Sequence, residues 1–203
     1  LHFSIGCGNQ LPLISPMRSR AVLVVLLVSN LVLAVGWYWT ARITARHLSL
    51  LETSFILRTL TPHLANQTSR LIKSPKLYVT DSGLAAHLTG IKDPKELSTG
   101  PMLETYVAQN LAAILEADWP DARLSYWHVQ GRHEVDFVVE AGRETLAIEV
   151  KGASRWSGQD LSGLKAFLDK APRCRAAILA YGGTELVPVG PRMWAVPLGV
   201  LLS

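Results

Sequence analysis

Cysteine is nearly missing: Cys7 and Cys174 lie far apart and have no metal-ligating neighbours. This argues against a disulfide scaffold and a zinc site, and the pattern suits a reducing cytoplasm. Neither GxxxxGKS/T nor GxGxxG occurs, so the chain carries no ATP or dinucleotide site of the usual glycine-rich kind. From Leu1 to Leu51 there is no acidic residue and no lysine, and the only formal charges are Arg18, Arg20, Arg42 and Arg46. Composition becomes ordinary after Glu52, which marks a first candidate boundary. The net charge of +4 permits an acidic partner such as nucleic acid without demanding one. With 203 residues, 49% of them hydrophobic, the chain is long enough for one ordinary domain, or for one domain and a small appendage.

Long apolar runs are confined to one place. Ala21 to Trp39 is an uncharged stretch close to the ~20 residues that span a bilayer. Arginines precede it, and Trp37, Tyr38 and Trp39 stand where an interfacial belt would lie. A membrane anchor through 21–39, a buried core helix and a misassigned start all fit this segment. An acid-free, arginine-only composition favours the misassigned start over the anchor.

Further on, Leu48, Leu50, Leu51 and Phe55 predict a short amphipathic helix. Phe55–Leu60 and Lys76–Thr80 read as strands joined by a polar loop, and Asp81 or Ser82 caps a helix running to Leu88. With Arg58, Arg70, Lys73 and Lys76 nearby, residues 42–97 read as a partial winged-helix segment. Its basic side chains either contact phosphates or form a solvated loop.

The last part, 98–203, reads as helix Pro101–Ala117, strand Arg123–Val129, a hairpin, helix Leu161–Lys170, and strands Ala176–Tyr181 and Met193–Val196. The hairpin, EVDFVVEAGRETLAIEVKG from Glu134 to Gly152, turns at Gly142-Arg143 with the glycine position of a type II′ turn. Strict alternation then pairs Val138 with Ala147 and Asp136 with Glu149, and sets Lys151 opposite Glu134. Val135, Phe137, Val139, Leu146, Ile148 and Val150 share one face. Glu134, Asp136, Glu140, Glu149 and Lys151 share the other. Opposed carboxylates about 5 Å apart repel. Either water and Lys151 offset this, or Asp136 and Glu149 hold a divalent cation such as Mg²⁺, which favours a few carboxylates with waters and phosphate oxygens. His133 falls on the apolar-face parity and reads as structural.

Two resemblances follow from these residues. RHLSLLETSFILRTLTP, RLIKSPKLYVTDSGLAAHLTGI, MLETYVAQNL and the hairpin, in this order, resemble a prokaryotic family that joins an AAA-type ATPase module to a C-terminal domain of unknown function. The likeness runs from about Arg42 onward and implies a truncated member lacking the ATPase. The order helix, three strands, helix, strand is also similar to the PD-(D/E)XK nuclease core, with Val135 where proline often stands. That resemblance implies an α+β, restriction-endonuclease-like αβββαβ fold with a mixed central sheet. It implies that Asp136, Glu149, the Val150 carbonyl and Glu104 hold Mg²⁺ or Mn²⁺, with Lys151 serving the reaction. DNA would be the substrate, contacted by Arg70, Lys73, Lys76 and Arg155. An ATPase module or a second copy of the chain would be further partners. The competing expectation is a non-catalytic DNA- or protein-binding regulatory module.

Overall fold

The computed structural model describes residues 16–63, 74–97, 100–129 and 132–203, and among these every side chain except those at 16–27, 94 and 97. Two compact units divide the chain, 1–50 and 51–203.

In the first unit the described residues belong to helix α1, which runs Pro16–Thr53 and so continues into the second. The apolar run thus lies in a helix, although side chains 21–27 are outside the described residues. Leu31, Leu33, Trp37 and Trp39 are all exposed. Among the described residues no helix is long and apolar enough to cross a membrane. The short amphipathic helix expected near Leu48 is the end of α1 rather than a separate element. Phe55 lies beyond it with positive φ (57°) and is exposed, so it is no part of a buried stripe.

The second unit opens with an antiparallel ribbon, β1 (Leu57–Leu60) and β2 (Lys76–Val79), that pairs Leu57 with Val79 and Leu60 with Lys76. Helix α2 (Ser82–Thr89) begins where the Asp81 carboxylate accepts the Leu84 N–H at 2.6 Å, which satisfies one of the orphan donors of the first turn. It ends at Gly90, whose φ of 75° closes the helix without a Cβ penalty. A single turn, α3 (Pro94–Leu97), leads to α4 (Gly100–Asp118).

A six-stranded mixed sheet follows, in the order β3-β4-β5-β6-β8-β7. Its strands are β3 (Arg123–Val129), β4 (His133–Ala141), β5 (Glu144–Lys151), β6 (Cys174–Tyr181), β7 (Val187–Gly190) and β8 (Met193–Pro197). Strands β3 to β5 form an antiparallel meander. Helix α5 (Ser162–Lys170) carries the chain over so that β6 lies parallel to β5. The architecture is α+β, and the run α4-β3-β4-β5-α5-β6 is the order expected from the sequence. The turn of β7 and the last helix α6 (Leu198–Leu201) were not expected.

Both sheet faces are covered, contrary to the one-apolar-face reading. On one side α4 lays Leu103, Val107 and Leu111 against Phe137, Val139 and Ile148, with Leu60 and Tyr78 of the ribbon. On the other, Leu161, Leu164 and Phe167 pack on Val135, Val138, Ala147 and Leu179. Phe167 meets Trp127 edge-on at 5.4 Å. Val135 therefore sits opposite to its expected side. A bulge explains this: Ser125 pairs with Val138 but Trp127 pairs with Val135, so two steps on β3 match three on β4. The extra residue reverses the alternation and falls at Asp136-Phe137. Gly142 has the expected positive φ of 60° at the hairpin turn, and Ala141 pairs with Glu144 as read.

Candidate functional site: an acidic cluster where two strands part

The β4–β5 pairing runs from Ala141↔Glu144 to Phe137↔Ile148 and stops there. Beyond it, side chains take over from the backbone ladder. The Val150 N–H donates to Asp136 Oδ2 at 2.9 Å. The Asp136 carboxylate thus satisfies a strand donor that splaying would otherwise orphan. Asp136 is buried, only 7% exposed, because the bulge directs it beneath the ribbon.

Two further acids and a lysine complete the cluster. Lys76, at the start of β2, lies 3.7 Å from Asp136 Oδ1 and 3.8 Å from Glu104 Oε2, and its ammonium is in close contact with Glu134. Tyr78 donates to Glu104 Oε2 at 3.1 Å. The Tyr126 ring stands 5.4 Å from the Lys76 ammonium, a cation–π distance. Glu104, Glu134 and Asp136 therefore share one ammonium.

Proton affinities register the imbalance. Burial, then the Glu104 charge, pushes the Asp136 carboxyl up to about 6 against the Val150 hydrogen bond and Lys76. Burial, then the Asp136 and Glu134 charges, pushes Glu149 up to about 9. Burial works to lower the Lys76 pKa, but its hydrogen bond to Glu134 and the surrounding carboxylates outweigh it and raise it. Glu149 Oε2 is buried without a hydrogen-bond partner. An orphaned carboxylate oxygen beside another crowded carboxylate is a hard-oxygen donor set short of positive charge, which a divalent cation fits. Among the described residues, no three His, Cys, Asp or Glu side chains are grouped so as to hold a metal ion. The fit thus rests on the Asp136–Glu149 pair, with waters and phosphate oxygens left to fill a Mg²⁺ shell.

The other expected residues are distributed differently. Lys151 does not face Glu134. Its ammonium meets Asp160 Oδ1 at 2.5 Å, while Asp160 Oδ2 accepts the Ser157 N–H and hydroxyl. These bonds, the Lys151 one foremost, hold the Asp160 carboxyl below its ordinary range. Lys76 turns inward to the acids instead of lining a phosphate track. Arg58 pairs with Glu116 of α4 at 2.6 Å, and Arg155 is exposed in the loop between β5 and α5. Arg70 and Lys73 lie outside the described residues. Glu140 leaves the acidic face to meet His63 Nδ1 and the Ser125 hydroxyl, each at 2.8 Å. Sequence reasoning set Glu134 on the charged face without a role in the site, assigned Lys76 to phosphate and missed Tyr78. Only Glu134 had a signal there, two residues before Asp136 on the same strand.

Comparison with known proteins places these features in a lineage. One family model, "Domain of unknown function (DUF4143)", matches residues 99–201, and a second, "Domain of unknown function (DUF8612)", matches 29–95. The second begins upstream of Arg42 and takes in the latter part of the apolar run. The uncharacterized proteins Mb2031c of Mycobacterium bovis and Rv2008c of Mycobacterium tuberculosis are each 34% identical over 169 residues. The match covers 80% of this chain and 36% of each relative, so the chain spans little more than a third of their length. No solved structure matches.

Proposed function

From the premise that the chain belongs to the DUF4143 family, whose domain is found C-terminal to AAA ATPase domains in many proteins, we propose a PD-(D/E)XK-like module that hydrolyses phosphodiester bonds in DNA with Mg²⁺. The observation that carries this reading is the Asp136 carboxylate taking the Val150 N–H where β4 and β5 part, with Glu149 Oε2 buried and left unpartnered.

Asp136 and Glu149 would hold the cation, assisted by the Val150 carbonyl and by Glu104. A bound Mg²⁺ would supply Lewis acidity toward a phosphate oxygen and an activated water. The protein's own part is positional. The bulge fixes the buried Asp136, and the Val150 N–H holds one of its oxygens, leaving the other toward Lys76. Glu104, held by Tyr78, lies on the ribbon side of the cluster. Lys151 serves a transition state only on release from Asp160. An ATPase module supplied by a longer chain is the natural partner of such a domain.

Incubation of the purified protein with single-stranded, duplex and branched DNA in Mg²⁺ or Mn²⁺ tests the proposal. Cleavage that Glu149→Gln abolishes supports it, and no cleavage of any substrate removes the catalytic claim.

A second reading is favoured by one observation: the Lys151–Asp160 pair ties up the expected catalytic amine. In that reading the fold persists as a non-catalytic DNA- or protein-binding module. Its expectation is DNA binding that survives Asp136→Ala, and loss of binding in that variant counts against it.

A further inference from the structure

Lys76 and the acids it meets come from different segments of the chain. The lysine opens β2, inside the 29–95 match, whereas Glu104, Glu134, Asp136 and Glu149 lie inside the 99–201 match. An ordinary salt bridge pairs one lysine with one carboxylate. Here a single ammonium, with a side chain only 25% exposed, lies within 4 Å of three. The Tyr126 ring approaches from another direction. Three carboxylate partners and a π face around one +1 charge make a cation site in which the cation is part of the chain. No comparable environment surrounds Lys151, which has a dedicated partner in Asp160.

We infer that Lys76 is a tethered stand-in cation, whose ammonium holds Glu104, Glu134 and Asp136 together and yields its place when a divalent cation enters at Asp136 and Glu149. This rests on the metal-site reading above and adds regulation to it. A +1 charge a few ångströms from an incoming +2 charge repels it strongly in a partly buried site. Cation binding must therefore release the ammonium or be weakened by it. By linkage, metal entry loosens the β2 contact, and anything that holds β2 in place weakens metal binding. The ribbon thereby senses the charge state of the sheet's open end.

Two measurements on the full chain decide the matter. Mn²⁺ affinity, read by electron paramagnetic resonance, is compared among wild type, Lys76→Met, Lys76→Arg and Glu149→Gln. Lys76→Met is expected to bind Mn²⁺ about tenfold more tightly than wild type, and Lys76→Arg within about threefold of it. Glu149→Gln should lose the site. In case Lys76→Met fails to fold, amine acetylation of the wild-type protein is followed by mass spectrometry with and without Mn²⁺. Lys76 labelling should rise at least about threefold relative to Lys151 as its partners are taken by the metal. If wild type binds Mn²⁺ but neither Lys76→Met affinity nor Lys76 labelling changes, the stand-in role is overturned and the metal site stands. If neither wild type nor Lys76→Met binds Mn²⁺ at millimolar concentration, both fall.

Discussion

Replacing Glu149 with Gln removes a charge that the fold accommodates poorly, and the size of the gain follows from its surroundings. The Glu149 carboxyl is pushed from 4.5 to about 9, foremost by burial and then by Asp136. Because the folded value is raised above the unfolded one, its stabilising contribution is complete below pH 4.5 and is lost as pH climbs toward 9. One pKa unit corresponds to about 1.4 kcal/mol, so by pH 8 the metal-free protein has forgone roughly 4–5 kcal/mol at this position. Part of that is repulsion shared with Asp136, and the glutamine must itself bury an amide, so about 2 kcal/mol of stabilisation is expected at pH 8. At pH 5 the gain should be under about 1 kcal/mol, since little of the penalty has developed. For a unit the size of residues 51–203, about 2 kcal/mol raises Tm by roughly 4–8 °C. Thermal melts of wild type and Glu149→Gln from pH 5 to 9, with EDTA, measure this directly. A variant that melts below wild type at pH 8 would refute the reasoning. So would a gain of equal size at both ends of the range.

Four other outcomes are expected. Wild-type Tm in EDTA should fall from about pH 4 toward pH 9, because Asp136 and Glu149 are both raised and both lose stabilising protonation across that window; a Tm that rises over that range would contradict the burial of the pair. Gly163→Ala should destabilise by about 2 kcal/mol or more in a denaturant titration, since its Cβ would meet the Glu134 carbonyl oxygen at 2.0 Å and displace β4 beside Asp136. Leu164→Ala, emptying a fully buried site beneath α5, should cost about 3 kcal/mol by the same assay, whereas Asp81→Ala should cost about 1 kcal/mol through the lost cap of α2.

How much of this was legible in the sequence depended on whether the determining physics was local. Strand β3 was placed residue for residue, α4 and α5 to within a residue or so, and the hairpin turn at Gly142 was read correctly, because periodicity and a positive φ are written in neighbouring residues. Asp81 as a cap was readable for the same reason. The side of the sheet on which Val135 lies was not, since a bulge in β4 is decided by how β3 pairs with it and by which side chains α4 and α5 must cover. The destination of lysines was the least legible. A four-carbon stem lets an ammonium select among carboxylates on any element folded near it, so Lys151 goes to Asp160 and Lys76 goes to the acids.

By itself, then, the sequence determined the element order from α4 to β6, the hairpin and the nearness of Asp136 to Glu149, all consequences of backbone geometry over short separations. Tertiary structure alone decided that both sheet faces are buried, that Asp136 turns beneath the ribbon, and that the ammonium in the cluster is Lys76. The reason is that burial and charge pairing act between segments distant along the chain, and their outcome is fixed only when the helices and the ribbon close over the sheet.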